Sequence, residues 1–334
     1  MKKFTAIILL SFCLFSYQAD SQDMHFSQFY AAPLMMNPAL TGQFPGDYRA
    51  GIQYRDQYRS IPVPYQTFEG FFDTRLPFGA LNQQFSAGLW LLHDQAGDGK
   101  LTGDKAFATF SYRQDFGSGW SAIVGLGAGF IQKKLDYAPL IFDDQWTQTG
   151  FDPNTISSEP PGQQPLKYPD MQAGLLLSYQ VDEDRVLYAG ASLNHLLKPK
   201  ESFINSANRL NFRWVAHAGG HILLSDFLAI DPALIYMNQD KASEWILGAN
   251  ALFLPANLPL ESLIAGLWGR ASGDFISTVG ADYHRVRLLI SYDTNLSSLK
   301  SASQFRGGTE LSLLYTWNRK HPPLQEIIVP CIRY

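Results

Sequence analysis

Residues 120–131 read Trp-Ser-Ala-Ile-Val-Gly-Leu-Gly-Ala-Gly-Phe-Ile, and this stretch decides the fold class. Every second residue from Ala122 to Phe130 is apolar, whereas the residues between them are mostly Ser or Gly. A pleated strand places the two sets on opposite faces, but a helix would scatter them around its axis. Residues 48–55 and 105–113 alternate in the same way. The chain is therefore predicted to consist of strands with one apolar face.

The composition fits a strand-rich protein whose surface lies partly out of water. The 334 residues are 46% hydrophobic, 14% aromatic and 17% charged, and the charged share is below the ~25% typical of soluble domains. This apolar content excludes a disordered chain. The net charge of −4 provides no positive field to neutralise phosphates, which argues against nucleic-acid binding.

The first 21 residues are typical of an export signal. Lys2 and Lys3 precede an apolar run, and a small-residue cleavage site ends at Ser21. The run is shorter than the ~20 residues of a membrane-anchoring helix, which is the alternative interpretation. Cleavage would leave Cys331 as the single cysteine, so no internal disulfide is expected. Because no later apolar helix is predicted, a membrane location would require a closed barrel.

Fourteen segments alternate in this way, and their length of about 9–12 residues suits a tilted membrane crossing. Aromatic residues near their ends, including Trp90, Tyr188 and Trp268, are predicted to form girdles at the membrane boundaries. A soluble sandwich also alternates, so alternation alone does not separate the two classes. The predicted strands are 47–58, 65–76, 85–93, 104–115, 120–132, 169–180, 185–196, 209–223, 227–238, 243–254, 261–269, 275–284, 286–296 and 307–317.

The connections favour an all-β, transmembrane outer-membrane barrel of about 14 antiparallel strands. With the N-terminus in the periplasm, even-numbered connections such as 116–119 and 225–226 are tight, whereas odd-numbered ones such as 133–168 are mostly long. Short periplasmic turns and long surface loops are the usual asymmetry of such barrels. The predicted organisation is a signal peptide at 1–21, a periplasmic or lumenal segment at 22–46, the barrel at 47–317 and a periplasmic tail at 318–334.

The segment 133–168 is the longest predicted surface loop and the candidate partner-binding surface. Aromatic side chains inside a polar rim concentrate affinity in protein interfaces. Two alternatives stay open: a variable solvated loop, and aromatic residues that only fold the loop over the barrel mouth. The candidate contact residues are Phe142, Asp143, Asp144, Trp146 and Phe151.

No pattern of catalytic, cofactor or metal chemistry is found in the sequence. His217 and His221 are four residues apart, but on a strand they are better interpreted as polar lumen residues than as zinc ligands. The region 94–104 lacks the ligand spacing and closing glutamate of a calcium loop, so a Gly-rich hairpin is favoured. The three glycines at 125–129 do not match a dinucleotide fingerprint. We therefore predict no enzyme, no cofactor and no metal.

Several motifs resemble the PorP/SprF family, outer-membrane proteins of the type IX secretion system of Bacteroidota. Tyr58 and Ile332 depart from this pattern, where the family more often has Trp and Pro. The resemblance recurs in order over most of the exported chain. The motifs are QDMHFSQFY at 22–30, NPALTG at 37–42, YRDQY at 54–58, YAGASLNHL at 188–196, DPALIY at 231–236, LWGR at 267–270, ISYDTNL at 290–296 and CIRY at 331–334.

The resemblance implies a non-enzymatic role in the outer membrane. A family member would dock or retain a secreted surface protein through that protein's C-terminal secretion domain, and would contact periplasmic or translocon components. In gliding members the cargo is a large adhesin. The alternatives are an outer-membrane channel for a small or hydrophobic solute and, as a third class, a soluble lectin-like β protein.

The segment 22–46 is too apolar for a solvated tail. It is predicted to plug or close the lumen, together with polar residues of the first strand. The residues assigned to this lumenal motif are His25, Phe26, Phe29, Tyr30, Asn37, Pro38, Arg55 and Gln57.

Overall fold

A computed structural model of the chain describes most of the barrel and the segment before it. The proposed signal peptide and residues 320–334 of the proposed tail lie outside the described residues. The described residues are 23–57, 65–79, 82–97, 99–136, 140, 142–147, 150–152, 155, 157, 165–203, 208–256, 258–294 and 306–319.

Fourteen strands form one closed antiparallel barrel, which confirms the predicted fold class and strand number. Each strand pairs with its neighbours along the chain, and the first strand also pairs with the last. The barrel strands are β1 (Tyr48–Gln57), β2 (Tyr65–Arg75), β3 (Gln83–Ala96), β4 (Leu101–Gly117), β5 (Trp120–Lys134), β8 (Leu166–Gln180), β9 (Arg185–Asn194), β10 (Arg213–Ser225), β11 (Leu228–Gln239), β12 (Ala242–Phe253), β13 (Ser262–Arg270), β14 (Phe275–Tyr283), β15 (Val286–Thr294) and β16 (Arg306–Trp317).

Two short strands, β6 (Trp146–Thr147) and β7 (Gly150–Phe151), pair with each other in the β5–β8 connection. The helical elements are single turns: Phe29–Ala31, Pro33–Met36, Pro38–Leu40 and Asp143–Gln145. Among the described residues, none of these helices has the length and apolar content to cross a membrane.

Several predicted strand boundaries are wrong by a few residues, including those of the long loop and the start of β10. The long loop is shorter than predicted, because the β5–β8 ladder continues to the pair Lys133 and Leu166 and leaves residues 135–165 as the connection. The strand predicted from 209 begins at Arg213 instead. The reason is local, since Leu210 N donates to Pro199 O inside its own loop rather than to the barrel ladder.

The alternation seen in the sequence separates the outer wall from the lumen. On β5, Val124 and Phe130 are exposed on the outside, whereas Ser121 and Ile123 are buried inside. Short connections such as residues 118–119 lie at one end of the barrel and the long 135–165 connection at the other. This asymmetry assigns the long-loop end to the cell surface.

Three aromatic residues predicted for the girdles, Trp90, Tyr188 and Trp268, face the lumen instead. Trp90 is 3% exposed and Trp268 is 2% exposed. All three occupy inward positions of the two-residue repeat of their strands. Their closeness to a strand end, on which the girdle prediction was based, does not indicate which face of the strand they occupy. Trp90 stacks on Phe107, with ring centroids 4.7 Å apart, and Trp268 packs against the N-terminal segment. The lumen therefore contains aromatic packing of the kind expected for a protein core.

Candidate functional site

The segment from Asp23 to Gly46 lies inside the barrel and runs from its surface end to its periplasmic end. Asp23 contacts Lys105, near the start of β4 at the surface end, and Gly46 leads into β1 at the opposite end. The first residues of the segment therefore lie in the lumen, one of the two locations that the sequence interpretation allowed. The chain has to leave the lumen at the start of β1, so its earlier residues fill the upper lumen.

Polar and charged side chains of three strands or their ends contact Asp23. Its carboxylate lies 2.6 Å from Lys105 Nζ and 3.0 Å from His195 Nε2, and its backbone N–H donates to Gln239 Oε1. His195 Nδ1 also lies 2.6 Å from Asp170 Oδ2. Burial alone would raise the pKa of Asp23, but Lys105 and His195 hold it well below its usual value. Burial would lower the pKa of His195, but Asp23 and Asp170 raise it.

The next residues bind a carboxylate of the last strand through their backbone. The N–H groups of Ser27 and Gln28 donate to the two oxygens of Glu310 at 2.7 and 2.8 Å. Arg55 Nε lies 3.3 Å from the same carboxylate, and its Nη1 donates to the carbonyl of His25. These contacts fix the extended start of the segment against β1 and β16 at the point where the barrel closes.

His25 itself reaches the opposite wall of the lumen. Its Nε2 lies 2.7 Å from Glu244 Oε2, and Glu244 also lies 3.2 Å from Arg270 Nε. Arg270 in turn pairs with Asp293 at 3.1 Å. The upper lumen thus contains a network of alternating charges that joins the segment to strands on several sides.

An aromatic cluster fills the middle of the lumen. Phe26, Phe29 and Tyr30 are buried. Tyr30 lies nearly parallel to Trp268, with centroids 5.0 Å apart, and its hydroxyl donates to Thr278 Oγ1 at 3.3 Å. The aromatic part of the sequence motif therefore packs as a core inside the barrel.

The Asn37-Pro38 part of the motif lies against glycines of the wall. Asn37 Nδ2 donates to the carbonyls of Leu175 and Ala191, and Asn37 Oδ1 accepts from Ala39 N at 2.9 Å. A Cβ atom on Gly125 would lie 2.2 Å from Ala39 N. Gly125, on the glycine face of β5 noted in the sequence, is thus covered by this turn of the N-terminal segment, whereas Gly127 and Gly129 face residues of the neighbouring strands.

A buried ion pair holds the lower end of the segment. Arg49 Nη2 lies 2.8 Å from Asp73 Oδ2, and both side chains are almost completely buried. The same carboxylate oxygen accepts from Gly42 N at 2.7 Å. Arg49 also donates to the carbonyl of Leu40. Side chains of β1 and β2 therefore bind the backbone just before it leaves the lumen.

Above the segment, a cavity of about 680 Å³ opens at the surface end of the barrel. Asp23, His25 and Arg55 lie at its floor, and Gln57 lies on its wall. Gln57 thus lines the same cavity as His25 and Arg55, two of the motif residues with which the sequence grouped it. The remaining lining carries both charges, including Lys133, whose ammonium group pairs with Glu201.

The candidate contact residues of the long loop lie on a small hairpin. Phe142 N donates to Gln145 Oε1, and Gln145 N donates back to Phe142 O. This turn carries the β6–β7 ladder, in which Trp146 pairs with Phe151, their rings 5.9 Å apart. Trp146 is 62% exposed and Phe151 is also exposed. Asp143 and Asp144, which form the adjacent single helical turn, are exposed as well.

Sequence reasoning did not identify most of the charged partners in the lumen. The residues it missed include Glu310, Glu244, Asp293, Arg270 and His195, and each lies far along the chain from the segment that it binds. One signal was available: a charged residue at an inward position of an otherwise small or polar strand face marks a lumenal partner. Which charges meet depends on the closure and register of the barrel, and no local pattern of the sequence reveals these.

The fold and lumen define an outer-membrane β-barrel with an internal N-terminal segment. Two solved structures of similar fold are the CymD monoaromatic hydrocarbon channel and the Pseudomonas putida toluene transporter TodX. CymD is 12% identical in sequence to this chain, and the two structures align with a TM-score of 0.50. The alignment covers 87% of this chain and 94% of CymD. TodX is 10% identical in sequence to this chain and aligns with a TM-score of 0.51. The alignment covers 86% of this chain and 94% of TodX. At such identities the likeness shows the fold alone.

The family model described as "Type IX secretion system membrane protein PorP/SprF" matches residues 18–315. The chain therefore belongs to the PorP/SprF family, as the sequence motifs indicated, and is an outer-membrane barrel of a secretion system. No curated protein matches the chain.

A matched pair of glycine substitutions tests the packing of the N-terminal segment. Gly125→Ala should destabilise the barrel by about 1–3 kcal/mol, the usual cost of overpacking, because the new methyl group would meet Pro38 and Ala39. Gly103→Ala on β4 is the control, since a Cβ there meets nothing within 4 Å. Heat-modifiability in gels measures both. Equal unfolding temperatures for the two variants would contradict the packing.

The pH dependence of stability tests the Asp23–His195 contact. The contacts that raise the pKa of His195 stabilise the folded barrel. This stabilisation is fully present below about pH 6.5, the pKa of His195 in the unfolded chain, and it is lost as the pH rises through the higher pKa of the folded state. Asp23, whose pKa is lowered, stays ionised across this range. The stability difference between wild type and His195→Gln should therefore be largest at pH 5–6 and shrink toward pH 9. Thermal unfolding measures it, and a difference that grows with pH would exclude the contact.

Proposed function

We propose that this barrel docks or retains a secreted surface protein at the cell surface and supports its export, without catalysing a reaction. The observation that carries the proposal is the hairpin of the long surface loop. It holds Trp146 and Phe151 exposed beside Asp143 and Asp144. Exposed aromatic residues beside charged ones are typical of interface hot spots. The exposure of Trp146 argues against a ring that merely folds the loop over the mouth.

The proposed partner is a cargo protein that is held through its C-terminal secretion domain. Membership of the type IX secretion family supports an association with cargo and with other parts of the machine. The acidic residues beside the aromatic ring pair favour a basic contact surface on the cargo. Periplasmic or translocon components would meet the opposite, short-turn end of the barrel.

The second candidate function is a channel for a small or hydrophobic solute. The likeness to two hydrocarbon transporters favours it at the level of fold. The lumen argues against it, because an open path would need the buried N-terminal segment to leave its contacts with Glu310 and Asp73. We therefore place docking ahead of transport.

The docking proposal is tested by replacing both exposed rings. Trp146→Ala with Phe151→Ala should reduce the amount of secreted protein that copurifies with tagged barrel from native outer membranes by at least tenfold. Loss of a hot-spot aromatic costs about 2 kcal/mol or more. The control is Phe227→Ala, an equally exposed ring in a short turn at the other end. Unchanged copurification with normal barrel level and heat-modifiability would refute docking by this hairpin.

Conductance in planar bilayers separates the two functions. The full barrel should be closed to ions, because the N-terminal segment fills the lumen, and deletion of residues 22–33 should open it or destabilise the barrel. Steady conductance by the full barrel that a hydrophobic solute blocks would favour the channel. Identical behaviour of the full and the deleted barrel would contradict the closing role of the segment.

A further inference from the structure

A groove on the outer wall of the barrel has an amphiphilic character that the docking function does not use. It has a volume of about 590 Å³ and lies over β2, β3, β4, β5 and β8 near their surface ends. Its apolar part is formed by the outward side chains of Leu91 and Phe130, which flank the small Ala106 on the intervening strand. Phe130 is 69% exposed. A small residue between two large ones leaves a trough in the wall.

The trough continues toward the membrane centre. In the next outward row, Leu89 pairs with Ala108, and Ala108 pairs with Ala128. Two adjacent strands therefore present only methyl groups there, below the level of Ala106. An extended hydrocarbon chain matches such a shape better than a folded protein surface does, because the trough is narrow and faces lipid.

A polar row marks the upper edge of the groove. His93, Asp104, Gln132 and Lys167 follow one another across four paired strands in one row of the sheet. His93 Nδ1 lies 2.7 Å from Asp104 Oδ1, so this carboxylate is already engaged by a neighbour. On β3, β4, β5 and β8 the outward residues change from apolar to polar at this row, whereas β2 places the exposed Phe68 beside His93, so the row lies close to the membrane surface.

Two lysines at this edge carry uncompensated positive charge. Gln132 of β5 pairs directly with Lys167 of β8. Lys134, two residues further along β5, is therefore the diagonal neighbour of Lys167, and such neighbours are typically about 7–8 Å apart. Both lysines are exposed on the outer wall, and neither makes an ion pair with any described residue. Two ammonium groups at this spacing suit a phosphate group held between them.

We propose that this groove binds the phosphorylated glycolipid of the outer leaflet, lipopolysaccharide, with an acyl chain along Ala106 and a phosphate between Lys134 and Lys167. The occupant must combine an anion at the membrane surface with a hydrocarbon chain inside the membrane. Lipopolysaccharide has both groups on the side of the membrane where the long loops lie. The site is separate from the surface hairpin and from the lumen.

Binding of purified lipopolysaccharide to the full barrel in neutral detergent tests the site. Native mass spectrometry should show saturable binding that weakens at least tenfold in Lys134→Gln with Lys167→Gln. Ala106→Leu, which fills the trough but keeps both charges, should weaken it as well. Lys241→Gln is the control, an exposed lysine in the β11–β12 turn at the same end of the barrel. All these positions lie outside the packed lumen, so the variants should keep the heat-modifiability of wild type.

Four results would overturn the proposal. Equal binding of lipopolysaccharide from which the phosphates have been removed would exclude the lysine clamp. Equal affinity for inorganic phosphate alone would exclude a lipid occupant. A loss in Lys241→Gln as large as in the lysine pair would show only general charge attraction. Finally, loss of a copurifying protein in the lysine pair, with lipopolysaccharide binding unchanged, would show that the face contacts a protein instead.

Discussion

The hydrogen-bonded ladder between β1 and β16 is the constraint on which the rest of the structure depends. In lipid, an unpaired strand edge leaves backbone groups unsatisfied at several kcal/mol each, so a sheet in this location has to close. Ten residue pairs join the first and last strands, from Tyr48 with Trp317 to Gln57 with Gly308. Closure divides every strand into a lipid-facing and a lumen-facing set, and it brings Glu310 beside the segment before β1. The charged lumen is thus a consequence of closure.

The interior of this barrel combines two kinds of stabilisation at different levels. Ion pairs and charge-assisted hydrogen bonds hold the upper and lower ends of the N-terminal segment, as at Asp23 and Asp73, while aromatic packing around Trp268 fills the middle. Buried charges are costly unless they are paired. Removing one partner should therefore cost more than the same change in an exposed pair. The ends act as specific anchors, and the aromatic middle excludes water.

The sequence was informative wherever a local repeat carries the information. The alternation of residues such as Val124 and Phe130 predicted fourteen strands, and family motifs predicted the secretion-system class. It was uninformative where the answer depends on barrel closure. Trp90 and Trp268 were assigned to the membrane boundary because they lie near segment ends. Their positions in the two-residue alternation of the strand place them in the lumen instead. The partners of His25 and Asp23 depend on register, which a single chain does not encode locally.

The backbone contact between Ser27 and Glu310 joins residues 283 positions apart, across almost the whole chain. Contacts between distant residues form slowly, because loop-closure entropy must be overcome before they are made. The segment before β1 also fills the lumen, and its contacts with β4, β12 and β16 require walls on several sides. Closure of the barrel and docking of the segment are therefore coupled, because the contacts of the segment are complete only when the first and last strands are paired. Without the segment, buried charges such as Glu310 would lose their partners in the lumen, so the N-terminal residues contribute to the closed barrel along with the strands.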